Sequence, residues 1–130
     1  MRRVVFDTNI YVSAFITPGG RGEAAYLSAV GAEVQLITSV PILTELARKL
    51  RAKFHWNDEH IKDVCRHIAS VAEVVKPKKR ISVLSDDADN RVLECAMEAR
   101  AEIIVTGDKH LLKLKTYEGI EVKTLAEFLD

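Results

Sequence analysis

An α/β domain with a mostly parallel central sheet is the fold class this sequence predicts, and three observations predict it. The apolar run Arg3-Val4-Val5-Phe6 lacks alternation, as expected of a strand buried on both faces. Ile103-Ile104-Val105 is β-branched throughout, which suits a second strand of that kind. Between them, strand-like and helix-like segments alternate, the pattern of parallel sheets with crossover helices.

The elements follow in order. The first strand ends at Asp7, and Ile10 to Ile16 has the make-up of a helical turn, broken by Thr17-Pro18-Gly19-Gly20. A helix is predicted from about Gly22 to Val30, stopped at Gly31, and a second strand from Glu33 to Thr38. Ser39 stands where an N-cap belongs, with Pro41 in the first turn behind it. Ile42, Leu43, Leu46 and Leu50 then repeat at helical spacing to about Phe54. Asn57 or Asp58 is placed to cap another helix, whose Ile61, Val64, Cys65 and Ile68 face inward. Val71 to Val75 is a third strand, and Pro77 to Ser85 a polar, basic loop. Ser85 or Asp86 caps a fifth helix that buries Val92, Leu93, Ala96 and Met97. After the Glu102 to Val105 strand come a short helix at Leu111 to Leu114, a strand at Ile120 to Val122, and a last helix from Thr124 through Phe128.

The length of 130 residues fits one domain spanning 1–130. Lys and Arg number 19, as do Asp and Glu, so the net charge is zero and any case for a polyanionic partner rests on local clusters. Cys65 and Cys95 form no CxxC pair and lie in helical patterns, which predicts buried free thiols and a reducing compartment. No signal-peptide core is seen, and no run approaches the roughly 20 apolar residues of a membrane span. The expectation is a cytoplasmic protein without membrane attachment.

Ligands of open α/β sheets sit at the carboxyl ends of the strands. Asp7 directly follows the first strand, and Asp108 lies three residues past Val105. Glu45 after Ser39 and Asp89 after Ser85 fall in what read as first turns of helices that open toward the same edge. Two carboxylates at ~4 Å repel by about 4 kcal/mol at an effective dielectric of 20, so such a gathering calls for a cation. Oxygen donors alone suit Mg²⁺ or Mn²⁺ rather than Zn²⁺, and phosphoryl transfer is the chemistry that uses them. Each acid also has a purely structural reading. Asp7, Asp89 (with Asp86) and Asp108 are placed to cap helices. Glu45 is placed to pair with Arg48 or Lys49 on its own helix. Their joint placement favours the functional reading.

Val4-Val5-Phe6-Asp7-Thr8-Asn9-Ile10 resembles the opening motif of PIN domains. Leu43-Thr44-Glu45-Leu46, Asp86-Asp87-Ala88-Asp89 running on to Ala96, and Ile104-Val105-Thr106-Gly107-Asp108 are similar to the family's later acidic motifs, in the same order. The ending Gly119-Ile120-Glu121-Val122 before Phe128-Leu129 is similar too. The resemblance covers nearly the whole chain and is nearest to small prokaryotic PIN proteins related to the VapC-like ribonuclease toxins of toxin–antitoxin systems. It implies a three-layer α/β/α domain with a sheet of four to five strands. It also implies an Mg²⁺- or Mn²⁺-dependent endoribonuclease with an RNA substrate, an antitoxin partner and a homodimeric state. Asp7, Glu45, Asp89 and Asp108 would be its metal ligands and catalytic acids. Thr8 and Asn9 would orient Asp7, Thr106 would stand behind the ligands, and Asp86 is a nearby acid able to assist.

Two rivals stand beside this reading. A hydrolase forming an aspartyl phosphate on Asp7 normally carries a second Asp two residues later, where this chain has Asn9. A catalytically silent PIN-fold module that binds RNA or a protein partner is the other. Among the cations, Lys109 and His110 adjoin Asp108 and are the candidates for phosphate contact. Arg48, Lys49, Arg51 and Lys53 on one helix, and Lys76, Lys78, Lys79 and Arg80 in one loop, read as solvated faces by default.

Overall fold

The structure, a computed structural model, describes residues 1–130. Its elements are β1 (Arg2–Phe6), α1 (Thr8–Ile16), α2 (Arg21–Val30), β2 (Val34–Ser39), α3 (Val40–Phe54), α4 (Asp58–Val71) and β3 (Glu73–Val75). They continue with α5 (Asp87–Ala99), β4 (Ile103–Val105), α6 (Lys109–Leu114), β5 (Thr116–Tyr117), β6 (Ile120–Lys123) and α7 (Leu125–Leu129). The sheet runs β3-β2-β1-β4-β6-β5, and every pairing is parallel except β5 with β6.

The chain steps one way across the sheet from β1 to β3, then turns back through α5 to reach β4 on the far side of β1. Parallel crossovers are right-handed, so reversing the direction of travel puts the connecting helix on the opposite face. α5 accordingly packs over β1, β2 and β3, while α2, which contacts β2, pairs with α7 in the other layer. The result is a three-layer α/β/α domain. The reversal also makes the gap between the carboxyl ends of β1 and β4 a topological switch point, where open α/β sheets bind ligands.

Burial explains the strand composition. Val4, Val5, Phe6, Leu36, Ile37, Ile104 and Val105 are wholly buried, as strands covered on both faces require. Phe6 meets Tyr11 of α1 and Phe128 of α7 at ring-centroid distances of 5.7 and 5.9 Å, tying both helices to the sheet centre. Asn57 caps α4 by accepting from the His60 N–H, and Thr124 with Glu127 forms a capping box on α7. No helix is long and apolar enough to cross a membrane.

Four expectations need correction. The sheet has six strands rather than four or five, because Thr116–Tyr117 pairs antiparallel with β6 across a turn at Glu118 and Gly119. Ser39 holds the N-cap position of α3, but its buried hydroxyl makes no capping bond. Cys65 is only half-buried, whereas Cys95 is fully buried, and burial pushes its thiol up to about 12. Met97 is only partly buried, packed against the core from the flank of α5.

At Gly22, α2 packs tightly against α1. A Cβ there would lie 2.7 Å from Ser13 Cβ and 2.8 Å from the Ala14 nitrogen, which is backbone and cannot swing aside. Gly22→Ala is expected to cost about 1–3 kcal/mol in urea unfolding, the scale of overpacking. Gly107→Ala, which meets nothing within 4 Å, is expected to stay within about 0.5 kcal/mol. Equal losses at both sites would refute the close-approach account.

Candidate functional site

Asp7 leaves the carboxyl end of β1 level with Thr106 at the end of β4, because β1 and β4 pair through Phe6 and Val105. The Asp7 N–H completes that ladder by donating to the Val105 carbonyl at 3.0 Å. The side chain is then fixed from two sides. Its Oδ1 accepts from the Ile10 N–H at 3.1 Å and so caps α1, while its Oδ2 accepts a short hydrogen bond from the Thr106 hydroxyl. That hydroxyl in turn accepts from the Asp108 N–H at 2.9 Å. One threonine thus sets the spacing between two of the acids.

Asp108 caps α6, its Oδ1 accepting from the N–H groups of His110 and Leu111 at 2.8 and 3.1 Å. Asp86 caps α5 through the Ala88 N–H at 2.9 Å. Asp89, one turn in, is 8% exposed, and its Oδ2 is buried without a hydrogen-bond partner. α5 holds the preceding loop by a stripe of side-chain acceptors at four-residue spacing. Asn90 accepts from the Leu84 N–H at 2.9 Å, Glu94 from the Ile81 N–H at 2.8 Å and Glu98 from the Lys78 N–H at 3.0 Å. Buried Glu94 also takes a salt bridge from Arg91 at 2.7 Å. This clasp, which fixes where Asp86 and Asp89 begin their helix, is absent from the motif-based reading. Its signal was present as Asn90, Glu94 and Glu98 on one helical face.

Asp7, Glu45, Asp86, Asp87, Asp89 and Asp108 line one cleft of about 470 Å³ together with Arg48, Lys49 and Lys53. Thr8 and Asn9 line it too, and Thr106 lies buried beneath it. Asn9 does not orient Asp7 directly; its Oδ1 accepts from Lys49 Nζ at 2.8 Å. Glu45 sits in the second turn of α3 rather than the first, because the helix already starts at Val40. Its two oxygens accept from Arg48 at 3.1 and 2.5 Å. Lys109 and His110 are exposed at the start of α6 and do not line the cleft. Adjacency to Asp108 pointed to them, whereas helical spacing from Glu45 points to Arg48, Lys49 and Lys53.

The electrostatics follow from burial. Desolvation raises the Asp7 carboxyl to about 6, against the opposing pull of the Thr106 and Ile10 hydrogen bonds and of Lys49. Desolvation raises Asp89 to about 7, and repulsion from Asp108, Asp86 and Asp7 adds to it. Glu45 lies below its usual value because Arg48 hydrogen-bonds its charged form. As the side chains stand, no three acids converge on one point closely enough to hold an ion. The donor set nonetheless fits a hard divalent cation. Every donor is a carboxylate oxygen, two carboxyls are raised by crowding and burial, and Asp89 Oδ2 has no protein partner.

Raised carboxyls weaken the metal-free fold as pH rises. Each binds its proton more tightly folded than unfolded, so its stabilising contribution is complete below about pH 4. That contribution is lost as pH climbs through about 6 for Asp7 and about 7 for Asp89. In chelator, wild type is expected to lose more stability from about pH 5 to about pH 8 than the Asp7→Asn, Asp89→Asn double variant. Parallel urea-unfolding profiles for the two proteins would rule this out.

Comparisons with known proteins agree with the geometry. A PIN domain family model matches residues 3–110. An uncharacterised protein of Methanocaldococcus jannaschii is 34% identical over 118 residues, which cover 87% of this chain and 75% of that protein. Among solved structures, a chain from the crystal structure of VapBC2 from Rickettsia felis, bound to a DNA fragment from their promoter, superposes with a TM-score of 0.66. That match covers 94% of this chain and 98% of the other at 16% identity, so it speaks to the fold alone. With more than half its length matched by the family model and a relative above 30% identity, the chain belongs to the PIN-domain family.

Proposed function

We propose that this PIN domain, residues 1–130, is an endoribonuclease that hydrolyses RNA phosphodiester bonds with the help of Mg²⁺ or Mn²⁺. The observation that carries the reading is the gathering of Asp7, Asp89 and Asp108 from three separated segments into one cleft, where Asp89 Oδ2 is buried and unpartnered. Asp7, Asp89 and Asp108 would hold the metal, with Glu45 as a fourth acid. When bound, the metal supplies an activated water and stabilises the leaving oxygen.

The protein supplies the rest. Thr106 and the Ile10 N–H hold the Asp7 carboxylate in one orientation, so little reorganisation is needed on binding. Lys49, steadied by Asn9, and Lys53 present cations at the cleft wall, where an RNA phosphate would sit. The cleft lies between α3 and the start of α5, with cations on one wall and acids on the others.

A toxin-like role is part of the same proposal, in keeping with the resemblance of the acidic motifs to those of VapC-like PIN proteins. An antitoxin segment closing the acidic cleft, and a homodimeric toxin, belong to that proposal. Cytoplasmic location accords with two cysteines that form no disulfide. A catalytically silent RNA- or partner-binding module is the second reading. What favours it is that Glu45 is turned onto Arg48 and that no three acids meet at one point.

The test is cleavage of a mixed-sequence single-stranded RNA by wild type and Asp7→Asn, with Mn²⁺, Mg²⁺ or chelator present. Wild type is expected to cut only with metal. The variant is expected to lose activity by about a hundredfold or more, the scale of removing a preorganised charge interaction at a reacting group. Metal-independent RNA binding without any cleavage would instead establish the silent module.

A further inference from the structure

Of the three cations in the cleft, Arg48 alone is paired with a carboxylate. Its Nε donates to Glu45 Oε2 at 3.1 Å and its Nη2 to Glu45 Oε1 at 2.5 Å. Both oxygens of Glu45 are thereby engaged, and a metal that takes Glu45 competes with the guanidinium for the same carboxylate. Lys49 is differently placed, donating to the neutral Asn9, and Lys53 has no ion-pair partner.

We propose that Arg48 is an exchangeable counterion, which gives up Glu45 to the metal and passes to a phosphate of the RNA. The proposal rests on the nuclease reading and deepens it, because it names a positioning residue that couples the two ligands. The latch is suited to opening. The Arg48 side chain is 60% exposed and lies one helical turn from Glu45, and exposed pairs of this kind shift an equilibrium only a few-fold. A divalent ion drawn by Asp7, Asp89 and Asp108 is a stronger partner for Glu45 than a solvated guanidinium. The released fork matches phosphate bidentately, as it matched the carboxylate. No charge is stranded, since Glu45 trades a monovalent for a divalent cation and Arg48 trades a carboxylate for a phosphate.

Metal and RNA therefore help one another, each removing one half of the pair that opposes the other, and the coupling is reciprocal. Loss of a positive charge alone would also favour metal, so the test separates the two effects. Mn²⁺ binding to metal-stripped protein is measured by calorimetry for wild type, Arg48→Met and Lys53→Met, and again with Glu45→Gln added to each. Arg48→Met is expected to bind Mn²⁺ about two- to fivefold more tightly than wild type, the scale of an exposed ion pair. Lys53→Met is expected to change little, and in the Glu45→Gln background the excess effect of Arg48→Met is expected to vanish. Arg48→Met is also expected to raise the KM for mixed-sequence single-stranded RNA. Equal effects of Arg48→Met and Lys53→Met, or an effect that survives Glu45→Gln, overturn the exchange while leaving the nuclease reading intact. An unchanged KM overturns the transfer to phosphate. A wild type that binds no Mn²⁺ overturns both readings.

Discussion

The carboxylate of Asp7, buried where β1 and β4 end side by side, is the group on which the rest of the architecture depends. It is 4% exposed, in a place where water cannot solvate its charge. Desolvation of this kind is destabilising unless hydrogen bonds or charges offset it. The offsets are specific. Thr106 gives one hydrogen bond, the first turn of α1 gives another, and Lys49 lies near enough to lower the carboxyl against the pull of burial. The same bonds start α1, align the ends of β1 and β4, and through Thr106 place Asp108. Removing the charge would lift the desolvation cost while weakening the cap of α1 and the link to Thr106, so stability and chemistry compete at one carboxylate.

Asp89 reaches the same cleft by an unrelated route. β3 ends at an edge of the sheet, and the chain must come back along α5 before that helix can begin. Asn90, Glu94 and Glu98 receive the backbone N–H groups of that returning stretch, which would otherwise lack partners within the protein. Glu94 remains tolerable in a buried position because Arg91 and the Ile81 N–H both satisfy it. These three bonds tie a segment without regular structure to the helix that carries Asp86 and Asp89 at its start. The site is built by two clamps, one at the strand ends and one along a helix flank.

What was legible in the sequence divides along physical lines. Segments whose signal is local were readable: the buried runs of β1 and β4, the caps at Asp7, Asn57, Asp86, Asp108 and Thr124, and the order of the acidic motifs. Features made by tertiary pairing were not. β5 is two residues with no strand signal of their own, held only by pairing with β6 across a turn in which Glu118 and Gly119 both take positive φ. The basic residues of α3 read by default as a solvated face, although Glu45 on the same helix marks the side that meets the acids. Helical spacing from Glu45 already pairs it with Arg48 or Lys49 and reaches Lys53 one turn on, but nearness to Asp108 favoured Lys109 and His110 for the phosphate contact, and these lie outside the cleft.

The neutral overall charge acquires meaning from this arrangement. Six acids and three cations line the cleft, so with every group ionised its wall carries more negative than positive charge. Such a wall repels a polyanion at close range, and a chain with no net charge provides no long-range field to overcome that repulsion. On the nuclease reading, the cleft accepts RNA only after its own negative excess has been met by divalent cation, and the order of events is set by electrostatics rather than by any moving lid. Arg48 sharpens that order. While it holds Glu45 it neutralises an acid at the expense of offering a cation to phosphate, and once Glu45 is taken by metal the same side chain changes from an internal counterion into part of the binding surface.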